Sequence, residues 1–344
     1  MKIDLPIVPA RYFAILCDFL DSIGVSGDAV LNEAGLDREN LTQANRAIAP
    51  GQLEVLLTAA LRISGRTDLA FELGRRIKLN SHDILSCALI SCVTLDQLMQ
   101  LLARYYRLIN PMLTMSYQRH GDDAELVFLP ALSMTPAVLQ FWLEATAVST
   151  YLQVKSVMSR PVGGSEICIS MHEPSHFARY SDLNLVRFRF APSAIAEIRI
   201  RIVKAQLDEA LPMANANAVR LAEDRCKSLL RNVSTEKSWA EWVGMMLQHA
   251  EDTQPMLEDL AKLLNVSART LDRHLNKEGT SFRELSVRIR SQRACVLLND
   301  GKLTVSQIAY TLGYSDLANF SRSFKKEHGV SPISYRGVAS VGVR

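Results

Sequence analysis

The sequence predicts two domains, an α+β domain followed by an all-α domain that carries two helix-turn-helix motifs joined by a linker helix. Three observations lead to this fold class. The 344 residues are too many for a single compact core. Strand-like and helix-like hydrophobic periods are mixed up to about residue 230, and only the helical period follows. Residues 254–344 hold 14 Lys and Arg against 8 Asp and Glu, so the positive charge is concentrated in the last quarter of the chain.

The amino-terminal part is predicted to begin with helices and to continue with strands. Apolar residues recur at helical spacing over Gln52–Arg62 and Leu95–Ile109, and Thr94 can cap the second of these helices. A long, mostly apolar helix is expected over Pro136–Met158, and a further helix over Ala218–Leu230. Short apolar or alternating runs predict four strands at Leu113–Gln118, Glu125–Leu129, Glu166–Met171 and Val186–Phe190.

A short polar stretch, Arg231–Lys237, is the predicted linker between the two domains. Every element after it has the helical period. We therefore place the amino-terminal domain at residues 1–230, the linker at 231–237 and the helical domain at 238–339. Within the helical domain, the two motifs are predicted at residues 257–278 and 304–327.

Simple features disfavour several classes of protein. The charge-free run Leu126–Leu143 approaches the length of a membrane span, but Pro130 and Pro136 interrupt it, so a strand and a buried helix explain it better. The amino-terminus has no uninterrupted apolar segment, which disfavours a signal peptide and favours a cytoplasmic protein. Six cysteines are scattered without a C-x-x-C pair, so we expect neither a zinc site nor a disulfide framework, and most of them should be reduced core residues.

The first helix-turn-helix unit is predicted from its apolar spacing and its capping residue. One face of its first helix is apolar and consists of Leu257, Leu260, Ala261 and Leu264. Asn265 and Val266 form the turn, and Ser267 is placed to cap the second helix. Leu271 and Leu275 then point inward. The polar and charged side chains that remain outward are Arg269, Thr270, Asp272, Arg273, Asn276 and Lys277.

The second unit repeats this pattern. Thr304 and Gln307 form a T-x-x-Q capping box, and Gly313 stands where the end of a helix needs a left-handed residue. Ser315 or Asp316 caps the next helix. The inward apolar residues are Ile308, Ala309, Leu312, Leu317, Phe320 and Phe324. The outward polar residues are Asn319, Ser321, Arg322, Lys325 and Lys326.

A helix, a short turn and a second helix with a basic outer face form the arrangement that places a recognition helix in the major groove of DNA. The linker helix is predicted from Ser281 to Leu298, with Leu285, Ile289 and Val296 among its apolar positions. About sixteen residues span ~24 Å. With the helix widths added, the two recognition helices would lie about one DNA turn apart, ~34 Å, and could read two successive major grooves.

Three blocks in the second unit carry a family resemblance. They are Ile308-Ala309-(x2)-Leu312-Gly313-Tyr314-Ser315, Phe320-Ser321-Arg322-(x)-Phe324-Lys325 and Gly329-Val330-Ser331-Pro332-(x2)-Tyr335-Arg336. Together they resemble the signature of the AraC/XylS family of transcription regulators. The run NVSARTLDRHLNKEGTSF is similar to the subgroup of ornithine-utilisation-type regulators. Three amino-terminal segments resemble the same subgroup: LLARYYRLI, the helix beginning at Pro136, and the run from Phe177 through LDEALPMANANAV.

The resemblance implies a small-molecule-responsive transcription regulator that acts as a dimer. The amino-terminal domain would then bind an effector and dimerise. The implied partners are double-stranded promoter DNA, RNA polymerase, an effector of unknown identity and a second copy of the chain, with no membrane and no cofactor. An activator is the first interpretation, and a repressor of the same family is the alternative.

In this family the outer faces of both second helices commonly contact bases. Carried over by position, the implied contacts are Arg269, Asp272 and Arg273 in the first unit and Asn319, Ser321 and Arg322 in the second. Lys325 completes this predicted DNA-binding set, and Lys277, Lys325 and Lys326 either contact phosphates or are solvated. Asp272 is unusual because an acidic side chain repels phosphate. It could accept from a cytosine N4 amine or pair with a neighbouring arginine.

Two other classes of protein, an enzyme and a protein-interaction module, are disfavoured. The sequence has no G-x-S-x-G, G-x-G-x-x-G or P-loop motif that would indicate an enzyme. His172 and His176 form H-x-x-x-H, but Pro174 between them disfavours the helix that a metal site would need. A helical protein-interaction module is disfavoured because the outward faces are basic and polar. The effector pocket stays unassigned, with Tyr105, Tyr106 and Arg107, or His82 and Arg119, as residues that could line it or simply be packed or solvated.

Overall fold

The computed structural model describes residues 8–42, 47–159, 163–183, 186–230, 238–250, 254–264 and 266–341. These residues divide into two compact units, one formed mainly by the chain before Ser238 and the other mainly by the chain from Ser238 onward. The predicted linker, residues 231–237, lies outside the described residues. So does Asn265, which was predicted in the first turn.

The first unit contains a helical amino-terminal half, as the apolar spacing predicts. Both helices expected there are present and slightly longer or shorter than predicted. Thr94 caps the second of them by accepting a hydrogen bond from the backbone N–H of Gln97, 3.2 Å away. The helices of this unit are α1 (Arg11–Ser22), α2 (Gly27–Glu33), α3 (Arg38–Thr42), α4 (Pro50–Ser64), α5 (Leu69–Arg76), α6 (Ile84–Ile90), α7 (Leu95–Tyr105), α8 (Pro136–Val157), α9 (Lys204–Leu207) and α10 (Ala216–Leu230).

A five-stranded sheet forms the other half of this unit. Its strands are β3 (Leu113–His120), β4 (Asp123–Pro130), β5 (Ser165–Ile169), β6 (Val186–Phe190) and β7 (Ile198–Ile202), and a separate two-stranded sheet pairs β1 (Val8–Pro9) with β2 (Ala47–Ile48). The order is β3-β4-β7-β5-β6, and every neighbouring pair is antiparallel except β5 with β6. The four strands predicted from the sequence are confirmed.

Strand β7, the middle strand of the sheet, was not predicted from the sequence. Its five residues alternate strictly, with Ile198, Ile200 and Ile202 buried and the arginines exposed. On the wet face, Arg199 pairs with Glu125 of β4 at 2.7 Å, and Arg201 pairs with Asp123. The same alternation of apolar and basic residues identified β6, so the signal was present and was not used.

Helix α8 packs closely on α5 and on the inner face of the sheet. Gly74 of α5 permits the close approach, because a Cβ there would lie 2.8 Å from the carbonyl oxygen of Ala145 and from the Val148 Cβ. On the other side, Tyr151 meets Phe188 of β6 edge to face, with ring centroids 6.0 Å apart. The charge-free run is therefore a strand followed by a buried helix, as predicted. No helix among the described residues is long and apolar enough to cross a membrane.

The second unit is all-helical over its described residues. Its helices are α11 (Trp239–His249), α12 (Leu257–Leu263), α13 (Ala268–Lys277), α14 (Phe282–Asp300), α15 (Val305–Thr311), α16 (Leu317–His328) and α17 (Pro332–Val341). The linker helix α14 has 19 residues, a length of about 28 Å. A capping box of Ser281 and Glu284 starts it, and Gly301, with φ of 72°, ends it. Leu285 and Ile289 are buried, but Val296 is 67% exposed.

The cysteines differ in part from the expectation. All six are free, and of these Cys17, Cys92 and Cys226 are buried. Three of the six are therefore core residues, whereas most of them were expected to be. Burial raises the pKa of the Cys17 and Cys92 thiols to about 12, so both stay protonated and unreactive.

Candidate nucleic-acid interface

The second helix of the first unit, α13, is anchored by two leucines and by its cap. Leu271 and Leu275 are fully buried, as predicted. Ser267 accepts a hydrogen bond from the backbone N–H of Thr270 at 3.2 Å, which satisfies one of the free donors at the start of the helix. Leu260 and Ala261 of α12 are buried against it. The predicted inner face of the first unit is therefore confirmed for these four residues, whereas Leu257 and Leu264 are only half-buried.

Helix α11 supports α13 from outside the motif. The carboxylate of Glu278 accepts hydrogen bonds from the backbone N–H groups of Trp239 and Ala240 at 2.9 and 2.8 Å. The Trp239 indole stacks on the His274 imidazole with centroids 4.4 Å apart. In both contacts the partner of α11 lies on α13 (His274) or directly after it (Glu278), so α11 fixes the orientation of α13.

The second unit follows the same plan. Thr304 and Gln307 form the predicted capping box, and Gly313 adopts a φ of 76°. Asp316, one of the two candidate caps, accepts from the backbone N–H of Asn319 at 2.7 Å. This hydrogen bond is the main reason why the pKa of Asp316 lies below its ordinary value. The buried core of the unit comprises Ala294, Leu298, Ile308, Ala309, Leu312, Phe320 and Phe324.

One predicted inward residue is only partly covered. Leu317 is 38% exposed, whereas Phe320 and Phe324 are about 1% exposed. Leu317 is the first residue of α16, so no preceding helical turn covers it. The prediction of its burial was wrong for that reason.

Helix α17 packs on α16 from the carboxy-terminal side. The Tyr335 ring meets Phe324 edge to face at 5.4 Å. The guanidinium of Arg336 donates to the backbone carbonyl of Leu303 at 2.6 Å. These are two residues of the family signature, and their contacts show that they hold the second unit together.

The two recognition helices share one register. In α13, Arg273 lies midway between Leu271 and Leu275, and its side chain is exposed. In α16, Arg322 lies midway between the buried Phe320 and Phe324 and is also exposed. A residue midway between two inward positions four apart points away from the core. Both arginines therefore stand at the centre of an outward face.

The caps follow the same register, but the turns differ in length. Ser267 and Asp316 each precede the first inward residue of the recognition helix by four positions. Between Leu264 and the cap there are two residues, whereas between Leu312 and the cap there are three. The second turn therefore holds one residue more, which includes Gly313 in its left-handed conformation.

The outer face of α13 exposes Arg269 and Arg273. Asp272 is half-buried and accepts a hydrogen bond from the Asn276 side-chain amide at 3.0 Å. Among the described residues it forms no ion pair, so the expected pairing with a neighbouring arginine is wrong. Asn276 lies one helical turn further along, within reach of a short carboxylate. An ionised carboxylate has more acceptor sites than this one bond uses, so Asp272 keeps lone pairs for a further donor.

The outer face of α16 is linked by hydrogen bonds. The amide nitrogen of Asn319 donates to the carboxylate of Asp316 at 2.6 Å, and its oxygen accepts from Arg322 at 2.6 Å. Asp316, Asn319 and Arg322 thus form a chain that orients the guanidinium. Ser321 is half-buried beside it, and Lys325 is fully outward with Lys326.

The shared register adds two residues that the sequence reading did not assign to the site. Thr270 holds the position that Asn319 holds in the second unit, and Asn276 the position of Lys325. Both had been placed on the outward face, so alignment of the two units on their inward residues would have found them.

The candidate pocket residues of the first unit are not brought together as a group. His82 and Tyr106 line one small cavity of about 30 Å³. Tyr105 instead donates to Glu223 at 3.1 Å. Arg119 pairs on the surface with Asp96 and Asp208. Arg107 lines neither of the two cavities that adjoin α8.

One histidine of the H-x-x-x-H run belongs to a buried polar cluster. His176 bonds through Nε2 to the buried Glu144 carboxylate at 2.6 Å, and the Tyr180 hydroxyl donates to the same oxygen at 2.7 Å. His172 is exposed at the surface. Within the described ranges, no group of three or more His, Cys, Asp or Glu side chains could hold a metal ion.

Comparison with known families places both units. The family described as the arabinose-binding domain of AraC transcription regulators, amino-terminal, matches residues 24–198. The chain belongs to the AraC family of transcription regulators. A second family, the helix-turn-helix domain, matches residues 260–337, which include both recognition helices. The resemblance seen in the sequence is thereby confirmed, and the AraC-family chain is a DNA-binding regulator and not an enzyme.

Two relatives and one solved structure are similar to this chain. The chain is 26% identical to the ornithine utilization regulator of Pseudomonas aeruginosa over 330 residues, which cover 96% of each protein. It is 38% identical to the urease operon transcriptional activator of Escherichia coli over 80 residues, 23% of this chain and 27% of that activator. The crystal structure of the transcriptional regulator CdpR from Pseudomonas aeruginosa is similar over 98% of this chain and 99% of that chain, with 19% identity and a TM-score of 0.48.

Proposed function

We propose that this AraC-family protein is a small-molecule-responsive transcription activator that reads two successive major grooves with α13 and α16. The observation that carries the proposal is the shared register of Arg273 and Arg322, each exposed between two buried residues of its helix. An arginine at that position of a recognition helix can bind a guanine through two hydrogen bonds. The 19-residue helix α14 separates the two reading helices.

Within this proposal the outward residues make different contacts with DNA. Arg269, Arg273 and Arg322 contact bases or phosphates, and Asn319 and Ser321 contact bases beside Arg322. Asp272 accepts from a cytosine N4 amine with the lone pairs that Asn276 leaves free. Lys325 contacts a phosphate, because a compact ammonium on a flexible stem suits a backbone contact better than a base contact.

We propose that the chain divides into functional parts at the boundaries predicted from the sequence. Residues 1–230 bind the effector and dimerise, residues 231–237 link the domains, and residues 238–339 bind DNA. The amino-terminal family match supports an effector role for the first part. The name of the urease operon transcriptional activator favours activation over repression. Promoter DNA, RNA polymerase and a second copy of the chain are the proposed partners, in the cytoplasm.

The DNA-reading proposal is tested with the full chain and a duplex selected by it from random sequences. Arg273→Ala and Arg322→Ala should each weaken specific binding by about 1–3 kcal/mol. Arg225→Ala, which removes an exposed arginine from α10, is the matched control and should leave affinity unchanged. Fluorescence anisotropy titrations give the affinities. Equal affinity for wild type and both recognition-helix variants would contradict the proposal.

Effector response is tested separately. DNA affinity is measured in the presence of a panel of metabolites, with ornithine included because of the similar ornithine utilization regulator. A change in affinity with one compound supports the response, since a ligand couples to DNA only through a differential affinity between two states. In a promoter-reporter strain, deletion of the gene should lower expression if the protein activates and raise it if it represses.

A further inference from the structure

A cavity of about 160 Å³ lies in the first unit between α8 and the inner face of the sheet. Four strands and the helices α8 and α9 contribute to its wall. Most of the lining is aliphatic, from Leu126, Val154, Met158, Ile167, Val186, Ile200 and Ile202. The polar side chains that also line it are Thr150, Tyr151, Lys155, Ser165 and Gln206.

One polar group in this wall has no partner among the described residues. The hydroxyl of Tyr151 is buried and forms no hydrogen bond, and the residue as a whole is 8% exposed. A buried hydroxyl without a partner is costly, because it has given up its hydrogen bonds to water. By contrast, the Ser165 hydroxyl is satisfied by the side-chain oxygen of Gln206. The Tyr151 hydroxyl is therefore a free donor in the cavity wall.

A positive charge lies near the Tyr151 ring. Lys155 follows Tyr151 by one helical turn, and its Nζ lies 5.9 Å from the centroid of the Tyr151 ring. Within the part of the chain that the structure describes, Lys155 forms no ion pair with a carboxylate, unlike Lys204 and Lys227, which do. Its side chain is exposed, so the ammonium stands at the solvent end of an apolar cavity.

The volume limits the size of an occupant. An apolar cavity of about 150 Å³ stays dry and accepts a molecule the size of benzene. The present cavity thus suits about six to eight carbons. Water would find few partners along an aliphatic wall, so an apolar chain fills this space better than solvent does.

We propose that this cavity binds a hydrophobic monocarboxylate of about six to eight carbons, whose chain fills the aliphatic part and whose carboxylate is held by the Tyr151 hydroxyl and the Lys155 ammonium. The inference rests on the proposed effector response and names the ligand class for it. A carboxylate accepts from both groups, whereas an amine of the same length would face Lys155 with a like charge.

Binding is measured on the full chain without DNA, by isothermal titration calorimetry with octanoate, octan-1-ol and octylamine. Octanoate should bind at least about tenfold more tightly than octylamine, because only the carboxylate completes the pair of contacts. The affinity for octan-1-ol should lie between those for octanoate and octylamine. Equal affinities for octanoate and octylamine, or no binding of any of the three, would overturn the proposal.

Two variants assign the contacts. Lys155→Gln should weaken octanoate binding about five- to tenfold and leave the affinity for octan-1-ol unchanged. Arg225→Gln removes a charge that does not line the cavity and should alter neither. Tyr151→Phe should also weaken octanoate, yet the ligand-free protein should melt at the same or a higher temperature, because the variant removes an unsatisfied hydroxyl. A Lys155→Gln protein that keeps full preference for octanoate contradicts the assignment.

A final measurement separates this inference from the proposed function. DNA affinity of the full chain is determined with and without saturating octanoate. Octanoate that binds and shifts DNA affinity supports both. Octanoate that binds but leaves DNA affinity unchanged upholds the cavity assignment and contradicts its role as the effector site. Failure to bind contradicts the cavity assignment while the Arg273 and Arg322 variants still test DNA reading.

Discussion

The Trp239 indole lies flat against the His274 imidazole, with 14° between the ring planes and 4.4 Å between the centroids. This contact and the Glu278 carboxylate join the start of α11 to α13. We predict that Trp239→Ala lowers the free energy of unfolding by about 1–2 kcal/mol, because a half-buried aromatic contact is lost. Trp239→Phe, which keeps a stacking ring, should lose less. Chemical denaturation measures both, and equal losses would show that the stacking does not matter.

Two leucines at different depths provide a second prediction. Leu271 is fully buried in α13, whereas Leu317 is 38% exposed in α16. Leu271→Ala should destabilise the protein by roughly 2–5 kcal/mol, since it removes buried methyl groups and leaves a cavity. Leu317→Ala should cost less than about 1 kcal/mol. Both values come from urea denaturation, and the reverse order would mean that the inner face of the first unit has been misassigned.

Charge and geometry at the second recognition helix can be separated. Arg322→Lys keeps the charge but loses the planar guanidinium that Asn319 orients. It should weaken specific binding while the dependence of affinity on salt stays unchanged. Lys325→Gln should weaken specific and nonspecific binding alike and reduce the slope of log affinity against log salt by about 1. Titrations at several salt concentrations measure both slopes, and a lower slope for Arg322→Lys would count against base reading.

The boundary at Ser238 predicts an independent fragment. Residues 238–344 should fold alone and bind DNA with the same sequence preference, because both recognition helices lie within them. The fragment should bind more weakly than the full chain, since a dimer gains effective concentration on paired sites. It should not respond to any effector. A fragment that matches the full chain in affinity would argue against dimerisation through the first unit.

Buried His82 predicts a pH dependence of stability. Its Nδ1 meets the Tyr12 hydroxyl at 2.8 Å and its Nε2 meets the Gln153 side-chain oxygen at 2.9 Å. Burial lowers the pKa of His82 from 6.5 to about 4. The unfolded chain therefore binds an additional proton between these values, and stability falls as the pH drops from about 6.5 toward 4.

The expected loss from His82 is roughly 3 kcal/mol over that range. His82→Gln should remove this part of the pH dependence, whereas His120→Gln, at an exposed position, should not change it. Unfolding free energies measured at pH 7 and pH 5 test the comparison. The prediction is contradicted if both variants keep the wild-type slope.

Local signals in the sequence predicted most of the second unit. Capping residues such as Thr304 and inward residues such as Leu271 act within one helix, so their spacing is visible in the chain. Strand β7 carries the same local alternation as β6 and could have been predicted from it, whereas its place between β4 and β5 depends on segments that are distant in sequence. The pairing of Asp272 was also mispredicted, because several polar side chains stand within reach on one helix face and side-chain rotamers decide between them.

The two cavities could not have been predicted in the same way. His82 and Tyr106 meet only because α8 brings Thr146 and Gln153 between them. Tyr151 and Lys155 are one helical turn apart, which the sequence does show, but the sheet that closes the cavity over them is assembled from four separate strands. Such sites depend on contacts between distant segments, and one sequence does not display those contacts.

The last strand of the sheet has a consequence for how copies of the protein meet. Strand β6 forms one border of the sheet among the described residues, and its outward side chains are Arg187 and Arg189. Arg189 pairs with Glu166 of β5, but two copies joined through this border would still bring their Arg187 guanidinium groups together, which opposes sheet extension and aggregation. We therefore expect a homodimer, as proposed above, to use a different surface, and we expect a charge-reversing change such as Arg187→Glu to promote self-association through this border.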